Sequence, residues 1–386
     1  NIMGGGGHDI PGPGSDMNDW RYQGAAMVGR FTDKSQLSII LNGNNTNNRG
    51  FNDVAGSMMQ TMRGSRGMGM GMGGWGGNNG ISNSWMSGIN GAFTLFDGDM
   101  DLSGNYLYNG SDRFVEEETS KITYLENGSR LLNNQKGTNN TFSQGHRFGV
   151  RLEHKFSENT SILFEPQFNF GAGSFNEFSD FQTYTEVGDK RDSTNRGYNS
   201  NSGDNQNWRT SGFLLYRQRL GKPGRTISAN IRYSFSDNNM YGFNQSLTTV
   251  YDLQTGAGSD DPVNQRYDQN SKGSSVTGRL VYTEPILEHL FLEASYEYAW
   301  NKNVSGKDTY NSGSSIADQN TTHLTYDPDG EVIDPIYSSS IINRYINQRA
   351  GISFTWQKDN LNAQIGAQAN PTDTHNETNG KVYDSK

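Results

Sequence analysis

The sequence predicts an all-β fold: a transmembrane antiparallel up-and-down β-barrel with short periplasmic turns and long extracellular loops, present as a partial barrel. Three observations lead there. Polar and apolar residues alternate with period two over runs of ten residues or more, which is the signature of strands with two unlike faces. The connections between the runs are alternately a few residues and about thirty. Aromatic residues gather toward the ends of the runs.

The runs can be taken in order. Residues 1–18 are rich in Gly and Pro and read as a loop. A strand thinned by Gly24 and Gly29 spans 20–31, and a turn at 32–35 leads to 36–44, where Leu37, Ile39 and Leu41 share a face. After a long insertion near 45–83, Trp85, Ile89, Phe93 and Leu95 form the next apolar face. A turn at 97–99 returns the chain through Met100, Leu102, Tyr106 and Tyr108. A second excursion near 109–144 ends at the clearest hairpin, 145–173. There Phe148, Val150, Leu152 and Phe156 alternate with Arg147, Arg151, Glu153 and Lys155; beyond a four-residue turn, Ile162, Phe164, Pro166, Phe168 and Phe170 alternate with Glu165, Gln167 and Asn169. A strand of about 12 residues, tilted by about 45°, matches the hydrocarbon thickness of a bilayer.

The pattern repeats to the end. An excursion near 172–207 precedes Trp208, Leu214, Tyr216 and Leu220, the turn 221–224, and Ile227, Ala229, Ile231, Tyr233 and Phe235. One near 237–274 precedes Val276, Leu280 and Tyr282, a turn around Glu284-Pro285, and Leu290, Leu292, Tyr296, Tyr298 and Trp300. One near 302–341, which holds the turn Asp327-Pro328-Asp329-Gly330, precedes Ala350, Ile352, Phe354 and Trp356, a turn at 358–360, and Leu361 to Ala367. About twelve strands result, with a polar tail at 370–386 that reads as one more long loop.

Composition fits this reading. A hydrophobic fraction of 32% and a mean hydropathy of −0.81 are too low for a large packed core, whereas 11% aromatic residues is too high for a disordered chain. A barrel reconciles the two, because only half of each strand meets lipid. A net charge of −9 provides no basic surface for nucleic acid. No run of 18 apolar residues exists to form a transmembrane helix. Cys is absent, which removes disulfides and thiolate metal sites. The opening residues NIMGGGGHD lack a charged and then apolar leader, so a signal peptide is expected to have been removed or to lie upstream.

Two residue sets are singled out. Arg147, Arg151, Glu153, Glu165, Arg217, Arg232, Arg279 and Glu293, with Lys155, Arg219 and Glu297, are expected to face the lumen, where they line a solute path or pair with one another across the sheet. Tyr106, Tyr108, Trp208, Tyr233, Tyr296, Tyr298, Trp300 and Trp356 are expected at the membrane interfaces, since an amphipathic ring sits best at headgroup level. Weaker patterns carry less. The six Met of 58–75 offer soft thioethers to Cu(I), but Gly-separated Met equally makes an adaptive packing loop. Glu116 to Glu118, Asp260-Asp261 and Asp327/Asp329 lack the spacing of a calcium loop and read as solvated turns. His8, His146, His154, His289, His323 and His375 are scattered singly, away from any Ser/Asp constellation, and no phosphate-cradling Gly loop is present. No enzyme, cofactor or metal is therefore expected.

The Asn- and Gly-rich strand exits LNGNNTNNRGF (41–51) and FDGDMDLSGNYLYNGSD (96–112), and the hairpin RLVYTEPILEHLFLEASYEY (279–298), resemble the barrel region of Bacteroidetes-type TonB-dependent receptor-like outer membrane proteins. The resemblance covers most of the chain and carries no catalytic motif. It implies a bacterial outer-membrane location, contact with outer membrane lipid, import of a solute, a TonB-type energy-coupling protein and a surface lipoprotein as partners. Such barrels usually have 22 strands and are preceded by a plug domain. About twelve strands and no plug are legible, so a longer polypeptide is expected. A structural barrel scaffolding a surface or secretion complex, and a passive porin, are the alternative functions.

Overall fold

The computed structural model describes residues 2–9, 20–46, 80–126, 128–314, 323–358 and 361–385. In them one antiparallel sheet of sixteen strands accounts for nearly all regular structure. The strands are β1 (Ile2–His8), β2 (Trp20–Phe31), β3 (Ser35–Asn44), β4 (Ile81–Leu95), β5 (Met100–Tyr124), β6 (Arg130–Ser157), β7 (Thr160–Val187) and β8 (Lys190–Arg219). They continue as β9 (Thr226–Tyr251), β10 (Gly258–Leu287), β11 (Leu290–Asn311), β12 (Val332–Ile333), β13 (Ser339–Lys358), β14 (Leu361–Ala369), β15 (Thr372–Thr378) and β16 (Lys381–Ser385). Strands adjacent in sequence are adjacent in the sheet from β1 to β11, and β13 follows. The short β12 joins the end of β11, β14 and β15 lie end to end along β13, and β16 pairs with β15. The fold is all-β, up-and-down and consistent with a barrel. No helix among the described residues is long and apolar enough to cross a membrane.

The strands outrun the alternating runs that predict them. β5 to β10 contain 25 to 30 residues each. At about 3.3 Å per residue such strands reach roughly 80 to 100 Å. The long loops expected near 109–144, 172–207 and 237–274 are ladder instead: they turn at 125–129, 188–189 and 252–257, with Tyr124 paired to Arg130 and Val187 to Lys190. The reason is physical. These stretches are rich in Asn, Ser, Thr and Gly on both faces, so hydropathy does not alternate, yet the backbone ladder needs no such alternation. Ser120–Asn134 and Asn133–Thr183 side-chain bonds, each 2.8 Å, tie neighbouring strands there.

Other corrections follow the same logic. Residues 2–8, expected as loop, form β1, because four consecutive glycines accept extended backbone when β2 supplies a ladder. The tail at 370–386 forms β15 and β16 around an Asn379–Gly380 turn in which both residues have positive φ. Glu284 and Pro285 lie inside β10, at an irregularity between Pro285 and Leu287, and the chain turns at 288–289. With the two-residue β12 at the end of β11, these additions raise the strand count from about twelve to sixteen. Of the loop near 45–83, residues 47–79 lie outside the described residues, and with them the Met-rich stretch 58–75. Of the loop near 302–341, β11 occupies the start, and 323–338 returns as a packed strap described below.

Register gives the sheet two unlike faces. Cross-strand partners on one face run from Ile162 through Tyr216, Ala229, Leu280 and Tyr296 to Ala350. The large side chains of this row are apolar or aromatic and open: Leu280 is 47% exposed and Tyr296 46%. Conversely, the buried apolar residues among those described are only Ile40, Met86, Tyr198, Tyr267 and Leu324. A further row shows how the apolar zone lies. It begins at Ile39, Ile89, Tyr106, Phe148 and Phe168, then passes Thr210 and ends on Lys302 and Arg344. The apolar band therefore crosses the ladder rows obliquely, as strands tilted within a flat apolar slab require.

Candidate functional site

On the face opposite the apolar band, strict alternation brings Arg147, Arg151 and Glu153 of β6, Glu165 of β7, Arg217 of β8, Arg232 of β9, Arg279 of β10, Glu293 and Glu297 of β11 and Arg349 of β13 into one panel. Arg151 sits at its centre. Its guanidinium bonds Glu165 on β7 at 2.9 Å and Glu153 on its own strand at 2.6 Å, and Glu153 accepts a further bond from Arg217 on β8 at 2.9 Å. Two arginines and two glutamates thus form a network across three strands, charge-balanced and half-exposed. Arg151 divides its donors between two carboxylates, and Glu153 accepts one bond on each oxygen from two different arginines, which holds the strands in register more than it adds stability. Arg147 donates to the side-chain oxygen of Gln167 one strand away.

The remaining charges are arranged differently. Arg232 lies over the ring of Phe213, 4.9 Å from its centre. Arg279 stands in register between Asn230 and Glu297, and Glu297 also lies 3.9 Å from Arg349. Glu293 faces Thr283 and Ser353. So the sequence-derived set divides: Arg151, Glu153, Glu165 and Arg217 are joined, while Arg232, Arg279 and Glu293 form no ion pair among the described residues. Arg209 and Arg349 share the charged face and were missed by sequence reading; period two counted back from Arg217 finds Arg209, since the intervening 211, 213 and 215 keep the same parity.

All eight aromatic candidates fall on the apolar face. Tyr106, Trp208, Tyr296, Tyr298 and Trp356 are exposed, and Tyr108, Tyr233 and Trp300 half-buried. The hydroxyls of Tyr106 and Tyr296 reach His146 and Gln348, each at 2.8 Å. In these two tyrosines the ring stays open while the hydroxyl is satisfied, the arrangement suited to a boundary between apolar and polar media.

Beyond the apolar band, where the strands continue, two further features lie on opposite faces. On the charged side, Glu117, Gln135, Asn139, Glu177, Asn201 and Asn244 line an open cavity of about 470 Å³ across β5 to β9. On the other side, residues 323–338 form a strap, of which 323–331 lies over β8, β9 and β10. The Leu324 amide donates to the Tyr198 hydroxyl at 2.5 Å; Gln245 donates to the Leu324 carbonyl at 3.0 Å; Asn264 donates to the Thr325 carbonyl at 2.8 Å. Arg266 grips Glu331 at 2.6 Å and lies 4.2 Å above the Tyr310 ring. The Arg266 bond holds the Glu331 carboxyl below its ordinary range. Burial first, then the Glu331 carboxylate, push the Tyr326 hydroxyl up to about 12. The Asp327-to-Gly330 turn read from sequence is the bend of this strap, which carries no cation cluster: among the described residues no three His, Cys, Asp or Glu side chains are placed to hold a metal. Glu116 pairs with Lys136 inside the ladder, and Asp260 accepts from Thr249.

No family model matches the chain, and no curated protein matches it. Among solved structures it aligns with the Pseudomonas putida toluene transporter TodX at 11% identity and TM-score 0.22, covering 98% of this chain and 87% of that one. It aligns with the ferric citrate transporter FecA in the unliganded form at 9% and 0.21, covering 97% and 65%, and with the siderophore receptor PiuA from Acinetobacter baumannii at 8% and 0.20, covering 98% and 75%. The chain thus spans 65% of the FecA length. The fold assignment rests on the chain's own ladders.

Proposed function

We propose that this chain is the wall of an outer-membrane β-barrel of transporter type, with the apolar band against lipid and the charged panel lining a solute path. One observation carries the reading. An open band of apolar side chains crosses the long strands over part of their length, backed by a charged face and almost no buried core among the described residues. In water that arrangement leaves a large apolar area unburied at roughly 25 cal/mol per Å², whereas in a bilayer the same area is solvated. The strand length left over stands outside the bilayer as a β-stem. Import is coupled to a TonB-type partner in this reading, and the stem, with its cavity and strap, receives solute and a surface lipoprotein. The projecting stem also favours a second reading, a barrel that scaffolds a surface complex.

The chain has no Cys, so single cysteines report their surroundings without background. In vesicles holding the refolded protein, Leu214→Cys is expected to resist an aqueous maleimide and Leu215→Cys, on the charged face, to react. Equal, fast labelling at both positions overturns the membrane assignment. Uptake that stops when the proton-motive force is collapsed separates coupled import from the scaffold and from a passive pore.

A further inference from the structure

The charged panel is not evenly charged. On β8, β9 and β10, at the level of the apolar band, the positions facing away from that band include Arg209, Arg217, Arg232 and Arg279, and no Asp or Glu. All four guanidiniums are exposed. Glu153 engages Arg217, and Glu297 stands beside Arg279 while also facing Arg349. Arg209 and Arg232 have no carboxylate within ion-pair range among the described residues, in a chain whose net charge is −9. Arg232 is held in place by the Phe213 ring rather than by an acid. An overall acidic protein thus presents a cationic strip on one wall.

We propose that this strip selects anions, and that the solute of the path is an oxyanion, bearing carboxylate or phosphate groups. The inference rests on the solute-path reading above. A guanidinium offers a planar fork that matches two oxygens of either group. Rings and rows of Arg in a pore wall favour anions by the field they set up, since the low-dielectric wall on one side concentrates it. Arg209 and Arg232 are on neighbouring strands, offset by four residues along β9, because Arg209 pairs with Ser236. An anion descending the wall passes from one to the other without meeting an acid of β8, β9 or β10.

The test uses the full chain in planar bilayers under a tenfold KCl gradient, with Arg209→Gln/Arg232→Gln and Arg209→Lys/Arg232→Lys as variants, each first shown to refold by its heat-modifiable mobility. The wild type is expected to show a reversal potential of the anion-selective sign. The Gln variant is expected to lose at least about threefold in chloride-to-potassium permeability, and the Lys variant to keep most of it. Inorganic phosphate and succinate, added separately, are expected to reduce the wild-type current and spare the Gln variant; the more effective of the two identifies the group preferred. Cation selectivity, or selectivity unchanged in the Gln variant, overturns the inference. Inserted protein that passes no current overturns the open solute path instead. In that case, calorimetric titration of detergent-solubilised protein with phosphate and with succinate decides the strip on its own: equal heats from wild type and the Gln variant overturn it, and heat lost in the variant supports it.

Discussion

Leu214 and Leu215 are chemically identical neighbours placed in opposite environments by the period of a strand. Leu214 pairs with Phe164 and Ile231 on the apolar face, Leu215 with Leu163 and Asn230 on the charged face. Leu214→Arg places a guanidinium in the apolar band, where such a change costs about 2–4 kcal/mol near the bilayer midplane. Leu215→Arg adds a charge to a face that already carries several and is expected to cost well under half as much. Urea unfolding of the two variants in vesicles checks the ratio; equal losses are incompatible with the face assignment. Arg266 makes a second residue-scale case. Its fork reaches Glu331 and Asp268 while its plane covers Tyr310. Lys keeps the charge but neither the fork nor the stacking. Arg266→Lys is therefore expected to free the strap, read as several-fold faster protease cleavage within 323–334.

At the scale of elements, the strap depends on two carboxylates whose folded values are lowered. Glu331 is held down first by the Arg266 bond and then by Tyr326, and Asp334 first by Asn311 and then by the amides of Ile336 and Tyr337. A lowered folded value means the bound carboxylate adds stability above the group's ordinary titration range, and that this is lost as pH falls through the lowered value. The strap is expected to stay docked from pH 7 to about 5 and to loosen below about pH 4. Hydrogen exchange of 323–334 at pH 7, 5 and 3 measures this; protection that is flat across the series contradicts it. Turn chemistry governs another element. Asn379 and Gly380 both have positive φ, 48° and 77°, and set the β15–β16 register through Thr378 and Lys381. A branched residue at position 380 is strained by about 1–2 kcal/mol. Gly380→Val is expected to unpair β16 and expose 381–385 to proteases while leaving β13 paired.

Over the whole molecule, stability is distributed along ladders with almost no core, so local opening follows the surroundings of each row. In the membrane reading proposed above, rows inside the apolar band open into a medium without hydrogen-bond partners, at several kcal/mol per unpaired group. Rows near Tyr124 and Arg130, at the tip of the β5–β6 hairpin, open into water. Amide exchange in vesicles is expected to be slowest along the row from Ile162 to Ala350 and at least about tenfold faster toward that tip. Uniform protection along β6 would contradict a sheet that is part embedded and part projecting.

Period two in the sequence determined the strands that carry the apolar band, their up-and-down order, the short turns at 32–35 and 157–160, and the division of Arg147, Arg151 and Glu153 from Phe148, Val150 and Leu152. That pattern is legible because burial against an apolar medium on one side forces unlike neighbours. Where both sides are polar nothing forces it, so the ladder through 109–144, 172–207 and 237–274 left no trace in hydropathy and was decided only by cross-strand pairing. The site divides in the same way. Membership of the charged face could be counted off the sequence, whereas which charges meet depended on register: Arg217 reaches Glu153 two strands away, and Arg232 meets a ring. The strap lay furthest from the sequence, because Leu324 and Tyr198 are 126 residues apart and only the folded sheet brings them into contact.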